Sequence, residues 1–256
     1  MARLSAVAFI NDPIEAYLYP GRRNYPEAFV NAQEALLRQS FDRPCGSAVV
    51  VVLESGDEGW KDGHDIVGFC VFTRETRGKR RKGPRKGMSL ASTCQYDLKL
   101  IFQAKDLSAD IKKAVGGSDP VVSLMESNHP MVDVANSTAF LEADGKDDSR
   151  VWTEEGFKKP KERYELCDLG VSPHFRRMGI GKMMVKWVMD KALEEGVPVH
   201  STASPAGKSL YQSMDFRTVG KWKWCPEPNS EWDVMHWNPA PQEQESHNND
   251  GRGSGR

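Results

Sequence analysis

The segment that most constrains this chain is Leu169-Gly170-Val171-Ser172-Pro173-His174-Phe175-Arg176-Arg177-Met178-Gly179-Ile180-Gly181-Lys182. It reads as the end of an apolar strand running from Tyr164 through Val171, a turn closed by Pro173, and the start of a helix. The helix spans about Gly179 to Glu195, with Ile180, Met184, Trp187 and Val188 on one face and Gly196 as its stop. Two glycines one residue apart let the backbone turn tightly, so that several N–H groups converge where the helix begins. Those unpaired donors and the helix dipole favour an anion, most naturally a phosphate or pyrophosphate. Arg176, Arg177 and Lys182 add positive charge at the same spot. On this chemistry alone the segment serves either as an anion site or as a plain structural turn.

The flanking pattern alternates strands and helices. Residues 5–10 read as a short strand, and Glu27 to Gln39 as a helix with Phe29, Ala32, Leu36 and Leu37 near one face. Two strands follow, Ser47–Glu54 and Ile66–Glu75; the four consecutive valines of the first suit a strand covered on both faces. After the glycine turn and its helix come a strand at Val197–Thr202, a helix from Pro205 to Met214, and a hairpin of Phe216–Trp224 and Trp232–Trp237. Between about 76 and 162 the pattern weakens, which marks an insertion or substrate-side segment before the motif strand. The chain thus reads as one α/β (α+β) domain over residues 1–238, and the polar, glycine-rich 239–256 as a disordered tail.

Composition narrows the class. Of 256 residues, 39 % are hydrophobic and 28 % charged, and no apolar run approaches the roughly 20 residues that span a bilayer. Asn11, Asp12 and Pro13 interrupt the N-terminal stretch before a signal-peptide core forms. Five scattered cysteines without a C-x-x-C pair suggest an intracellular chain with neither a disulfide framework nor a zinc site. The net charge of −1 conceals residues 74–87, where eight Lys/Arg meet one Glu. That run suits a solvated loop, or a nuclear localisation patch at 79–86 in an otherwise cytoplasmic protein. Aromatics do not interleave it, so nucleic acid is not the expected partner.

Arg176-x-x-Gly179-x-Gly181, placed after a strand of form Leu-x-Val-x-Pro, resembles the Arg/Gln-x-x-Gly-x-Gly/Ala signature of GNAT (Gcn5-related) N-acetyltransferases. A second element supports it. Where the family has Asn-x-x-Ala-x-x-x-Tyr-x-x-x-Gly-Phe, this chain has Ser204-x-x-Gly207-x-x-x-Tyr211-x-x-x-Asp215-Phe216. Asp215 stands in for glycine at a helix end, a substitution Asp tolerates better than most residues. Only about 165–216 matches by motif. The resemblance extends in outline over 5–75 and 163–237, and Asp12-Pro13 and Met235-x-Trp237-x-Pro239 are similar to fungal members with small-molecule or unassigned substrates.

The resemblance implies the GNAT fold, a central mixed, mostly antiparallel sheet flanked by helices, with acetyl-CoA as co-substrate and no metal. The amides of Arg177, Met178, Gly179, Ile180, Gly181 and Lys182 would cradle the pyrophosphate beside Arg176. Leu169, Gly170 and Val171, splayed by a bulge, would pair with the pantetheine arm and polarise the acetyl carbonyl. Ser204, Gly207, Lys208 and Tyr211 would complete the cofactor side; Ser204 replaces the usual Asn, so its contact is weakened.

Acetyl transfer to an amine needs positioning, a donor at the carbonyl oxygen and a proton for the leaving thiolate. Tyr211 is the expected proton donor, against a plain core tyrosine. Glu165 or Asp168 is the expected base, or orders a water that acts as one. Strict alternation puts Glu165 on the face of Cys167 and Leu169, and Asp168 on the other. Cys167 reads as a small core residue. His174 reads as an exposed loop residue and His200 as a structural histidine with a possible view of the substrate. Trp222, Trp224, Trp232 and Trp237 suit either cross-strand packing or the wall of an acceptor pocket. The expected activity is N-acetylation of a small-molecule amine. The alternatives are a protein lysine or N-terminal amine as acceptor, or a catalytically inactive acyl-CoA-binding domain. Oligomeric state is not legible.

Overall fold

Short β-branched runs and amphipathic helices build a six-stranded sheet with helices on both faces. The computed structural model describes residues 1–42, 46–57, 59–60, 65–76, 129–140, 142–143 and 157–239. The strands are β1 (Gly46–Val52), β2 (Ile66–Glu75), β3 (Arg163–Val171), β4 (Val199–Ala203), β5 (Arg217–Lys223) and β6 (Glu231–Trp237), ordered β1-β2-β3-β4-β6-β5. Every neighbouring pair is antiparallel except β3 and β4, which run parallel. The sheet is therefore mixed and mostly antiparallel, as expected.

The helices are α1 (Ala2–Phe9), α2 (Pro13–Leu18), α3 (Pro26–Asp42), α4 (Ile180–Glu195) and α5 (Pro205–Gln212), with a further helical stretch at 134–140. One face of the sheet is covered by α4. Its Ile180, Met184, Val185 and Val188 pack on Val49, Val51, Phe72 and Leu166. The opposite face carries α1 and α3, where Leu37 and Phe9 meet Ala48, Phe69 and Val71. The valine strand is covered on both sides for this reason. A third cluster, Tyr19, Phe29, Ala32 and Met131, joins α3 to the turn before 134.

Two elements differ from the sequence reading. Residues 5–10 are not a strand: α1 occupies them, its Ser5 and Ala6 buried and the Ser5 hydroxyl donating to Gln33 Oε1 at 2.6 Å. A six-residue apolar window is too short to separate a period of two from one of 3.6, and Ala2, Leu4 and Ala6 are good helix formers. The second is α2. Asp12 caps it, accepting from the amides of Ile14 at 2.9 Å and Glu15 at 3.4 Å, with Pro13 at the first helical position. The expected structure at 77–128 and the tail at 240–256 lie outside the described residues. At the start of the basic run, Arg74 is committed to Glu195 (2.7 Å) and Glu162 (3.1 Å), over the Tyr164 ring.

The main irregularity of the sheet lies in β3. Phe72 pairs with Leu166 and Val71 with Asp168, so Cys167 is an extra residue, a β-bulge. Pairing of β3 with β4 covers only Tyr164, Glu165 and Leu166. From Cys167 onward, β3 leaves β4. Beyond the bulge, Gly170 lies across from Phe69, and a methyl group built there would meet its ring at 2.4 Å. Phe69 is fully buried, so Gly170→Ala is expected to lower stability by about 1–3 kcal/mol from overpacking. Urea melts of the two proteins compared at equal m-value check this; an unchanged midpoint would show that Phe69 yields freely.

Candidate active site

The parting of β3 from β4 opens a cleft of about 650 Å³. Its floor is Glu165 to Leu169 on one side and His200 to Thr202 on the other, with Ser204, Gly207 and Tyr211 of α5 at one end. Phe9, Asp12, Ile14 and Glu15 close a second side, and Phe140, Trp222 and Trp232 a third.

The bulge decides which carboxylates look into this space. Asp168 lies across from Val71, and Glu165 across from Thr73, so both fall on the α1/α3 face. Leu169 lies across from Cys70 on the α4 face. The expectation that Glu165 shares a face with Leu169 while Asp168 opposes it is therefore corrected: one inserted residue inverts the alternation beyond it. Cys167, expected in the core, is exposed at the bulge. Glu165 is engaged by Arg163, whose Nη2 and Nε donate to Oε2 at 2.6 and 3.2 Å.

Tyr211 is buried on α5, against Phe216 at 5.3 Å between ring centroids. Burial pushes its phenol well above the ordinary tyrosine range, opposed by a hydrogen bond from Ser201. The phenol stays protonated at neutral pH and available as a donor. Asp168 and Cys70 lie within its electrostatic reach, and burial likewise pushes the Cys70 thiol up.

At the start of α4 the N-cap is Gly179 at φ +84, with no side chain capping the helix. The first amide of the turn to enter the helix ladder is Met183, donating to the Gly179 carbonyl at 3.0 Å. The amides of Ile180, Gly181 and Lys182 come before it and carry no side-chain cap, and a methyl group at Gly179 would meet nothing within 4 Å. Arg177 also takes a positive φ, +68. This open, donor-lined cradle fits a pyrophosphate group.

Several expected cofactor residues have other partners. Arg176 sends Nε to the Val171 carbonyl at 3.3 Å and Nη2 to that of Ala8 at 2.9 Å, tying the turn to α1. Lys208 pairs with Asp233 at 3.1 Å, as does Lys221 at 3.0 Å. Ser204 caps α5 by accepting from the Gly207 amide at 3.2 Å. Lys182 and His174 are exposed. Trp222 and Trp232 are cross-strand partners, 5.9 Å apart, and also line the cleft. Trp224 and Trp237 pack instead on Tyr17 and Phe216.

Two features escaped the sequence. Glu15 lines the cleft from α2, and Asp12-Pro13-x-Glu15 is the pattern of a capped helix start that signals it. His200 and His236 form a buried pair, Nε2 to Nδ1 at 2.9 Å, under the Phe157 ring. Only the β4–β6 register reveals it.

Residues 140–216 match the model of the acetyltransferase (GNAT) family. That segment holds the cradle, the bulge and Tyr211, so the match to the GNAT acetyltransferases falls on the site itself. The described architecture is the GNAT fold. A search of curated proteins returns no match. Among solved structures, the chain is similar to a histone acetyltransferase HPA2 and related acetyltransferase from Corynebacterium glutamicum, at 14 % identity and TM-score 0.49, covering 94 % of this chain and 91 % of that one. It is also similar to an arylalkylamine N-acetyltransferase-like protein 5b of mosquito, at 12 % identity and TM-score 0.44, covering 92 % of each. Arylalkylamine N-acetyltransferase 2 of Aedes aegypti follows at 11 % identity and TM-score 0.41, covering 93 % and 94 %. Among the described residues no group of side chains is arranged to hold a metal ion, and no helix is long and apolar enough to cross a membrane.

The histidine pair sets a pH dependence. Burial lowers His200 to about 3, with His236 adding to the effect, and burial lowers His236 to about 4. Both rings are neutral in the fold and gain protons on unfolding, so stability is fully present above the ordinary histidine range near 6.5. It falls as pH drops through that range towards 4. Thermal melts from pH 7 to 5 are expected to show a loss on the order of 2 kcal/mol, reduced in His236→Gln. Equal slopes in both proteins would exclude the pair as its source.

Proposed function

We propose that this chain transfers the acetyl group of acetyl-CoA to the amine of a small molecule. The observation that carries the reading is the gap that opens when β3 leaves β4 after Leu166, with the α4 cradle beside the start of that helix and Tyr211 at one end. When bound, acetyl-CoA supplies an acetyl group activated as a thioester. The chain's own residues do the rest. The amides of Ile180 to Lys182 hold the pyrophosphate, and the β3 edge that β4 leaves beyond Leu166 orients the pantetheine. Tyr211, kept protonated by burial, gives its proton to the departing sulfur.

The acceptor enters from the opposite side, between α2 and the β5–β6 hairpin. Asp168 faces it as an anionic group, while Glu165 is held by Arg163 and serves to set the strand. The aromatic wall of Phe140, Trp222 and Trp232 and the cleft volume support a small acceptor with an apolar body.

Two variants test the reading. Tyr211→Phe is expected to lower CoA-thiol release by roughly 100-fold while acetyl-CoA binding stays within about twofold. Full activity in that variant would remove Tyr211 from the mechanism. Turnover with peptides but not with small amines would make the acceptor a protein amino group. Tight binding of acetyl-CoA with no acceptor turned over would leave an acyl-CoA-binding domain. Gly207→Ala puts a methyl group 3.5 Å from Ser204 Oγ and 3.7 Å from the Tyr211 ring, ordinary contacts inside a helix. It is expected to raise stability by about 0.5–1 kcal/mol without loss of acetyl-CoA binding; a fall in either, seen by melting and calorimetry, would contradict the geometry.

A further inference from the structure

Glu15 lines the cleft and is held there by a chain of hydrogen bonds that runs from α1 through α3 to α2. It occupies the third position of α2, from which a glutamate ordinarily reaches back to the N-cap amide. Here the Asp12 amide already donates to the Phe9 carbonyl at 2.8 Å, so Glu15 turns towards α3 instead. Its Oε1 accepts from Gln33 Nε2 at 2.9 Å. The Gln33 amide is fixed in that sense because its own Oε1 accepts from the Ser5 hydroxyl at 2.6 Å. The second carboxyl oxygen, Oε2, is buried and has no hydrogen-bond partner in the structure. A buried polar atom left without a partner is costly, and such an oxygen in a cleft wall points to a polar group that arrives with a ligand.

We infer that Glu15 is the group that takes the proton from the acceptor amine, and that with Asp12 and Asp168 it selects an acceptor that arrives as a cation. The inference rests on the acetyl-transfer reading above. The charged groups that face Glu15 are Asp12 from its own helix, Asp168 from β3 and Arg22 from the α2–α3 connection. Arg22 is the nearby cation, but its Nε and Nη1 are spent on the carbonyls of Ile10 and Tyr19 at 2.8 and 3.2 Å. Burial raises the Glu15 carboxyl to about 8, opposed by the Gln33 bond and helped by the two aspartates. A carboxyl in that range exchanges a proton with an ammonium group near neutrality. Glu165 is instead paired through its Oε2 with Arg163 and is not among the buried oxygens left without a partner.

The step balances as follows. The ammonium gives one proton to the Glu15 carboxylate. The nitrogen lone pair then forms the N–C bond to the acetyl carbon while the C–S bond breaks. Tyr211 protonates the departing sulfur, the second nitrogen proton restores Tyr211, and Glu15 gives its proton to solvent as the products leave.

The test uses the full chain and Glu15→Gln, whose side-chain oxygen can still accept from Gln33. With CoA present, 2-phenylethylamine and its neutral counterpart 2-phenylethanol are titrated calorimetrically into both. The amine is expected to lose about tenfold or more in affinity in the variant while the alcohol is unchanged. Wild-type affinity for the amine is expected to rise between pH 6.5 and 8.5, and the variant's to stay flat. Equal amine affinity in the two proteins, or a pH dependence that persists, overturns the inference. Where the wild type turns over the amine, Glu15→Gln is expected to lower kcat roughly 100-fold with the KM for acetyl-CoA held within about twofold. An amine already neutral at the assay pH is expected to suffer less. A wild type that turns over no amine sinks the acetyl-transfer reading, while the calorimetry still decides whether Glu15 holds a cation. Should Glu15→Gln fail to fold, Gln33→Leu serves: losing the opposing bond moves the midpoint of amine binding to higher pH, and an unmoved midpoint overturns the inference.

Discussion

Much of this molecule depends on one extra residue. Cys167 gives β3 one more residue than β2 can pair with between Leu166 and Asp168. A bulge bends its strand and ends regular pairing. Here the parallel ladder to β4 stops at Leu166, and a sheet otherwise continuous from β1 to β5 divides in its middle. The same residue reverses the alternation, so that Asp168 joins Glu165 on the side of α1 and α3 while Leu169 turns to the α4 core. A slot for an extended ligand and an acidic wall beside it thus share one cause.

Under the acetyl-transfer reading, the elements around the slot each contribute one end of the chemistry. The α4 helix begins without a side-chain cap, and its open amides face outwards where an anion would sit. The α5 helix buries Tyr211 deeply enough to keep its proton, with Ser201 of β4 beneath it. On the far side, α2 is held by the Asp12 cap and brings Glu15 against Gln33 of α3. Arg176, the first residue of the signature, ties these halves together: its guanidinium joins the end of β3 to the last turn of α1.

The sequence made legible what depends on local chemistry. The Ile66–Glu75 strand, the α4 helix stopped by Gly196 at φ +66, and Asp215 in the left-handed region at φ +62 all follow from residue type and period. Illegible were the features set by long-range pairing. The resemblance implies a bulge at Leu169 to Val171, but nothing in Glu165-Leu166-Cys167-Asp168 places it at Cys167, because its position lies in the register with β2. The His200–His236 pair needs β4 and β6 side by side. The strand expected at 5–10 is a helix because its apolar residues face α3, a partner no short window contains. Glu15 lay within reach of reasoning, since Asp12-Pro13-x-Glu15 is a helix-start pattern, but its role depends on Gln33, eighteen residues further on.

The central claim is that the cradle at the start of α4 and the β3 edge that β4 leaves beyond Leu166 form one continuous site for CoA. Amide chemical shifts of the ¹⁵N-labelled chain during a titration with CoA test it most directly. The account predicts the largest changes at Gly179, Ile180, Gly181 and Lys182 and along Asp168 to Val171, with little change at the distant β1 edge. Binding that moves only one of these two groups, or neither, would contradict it.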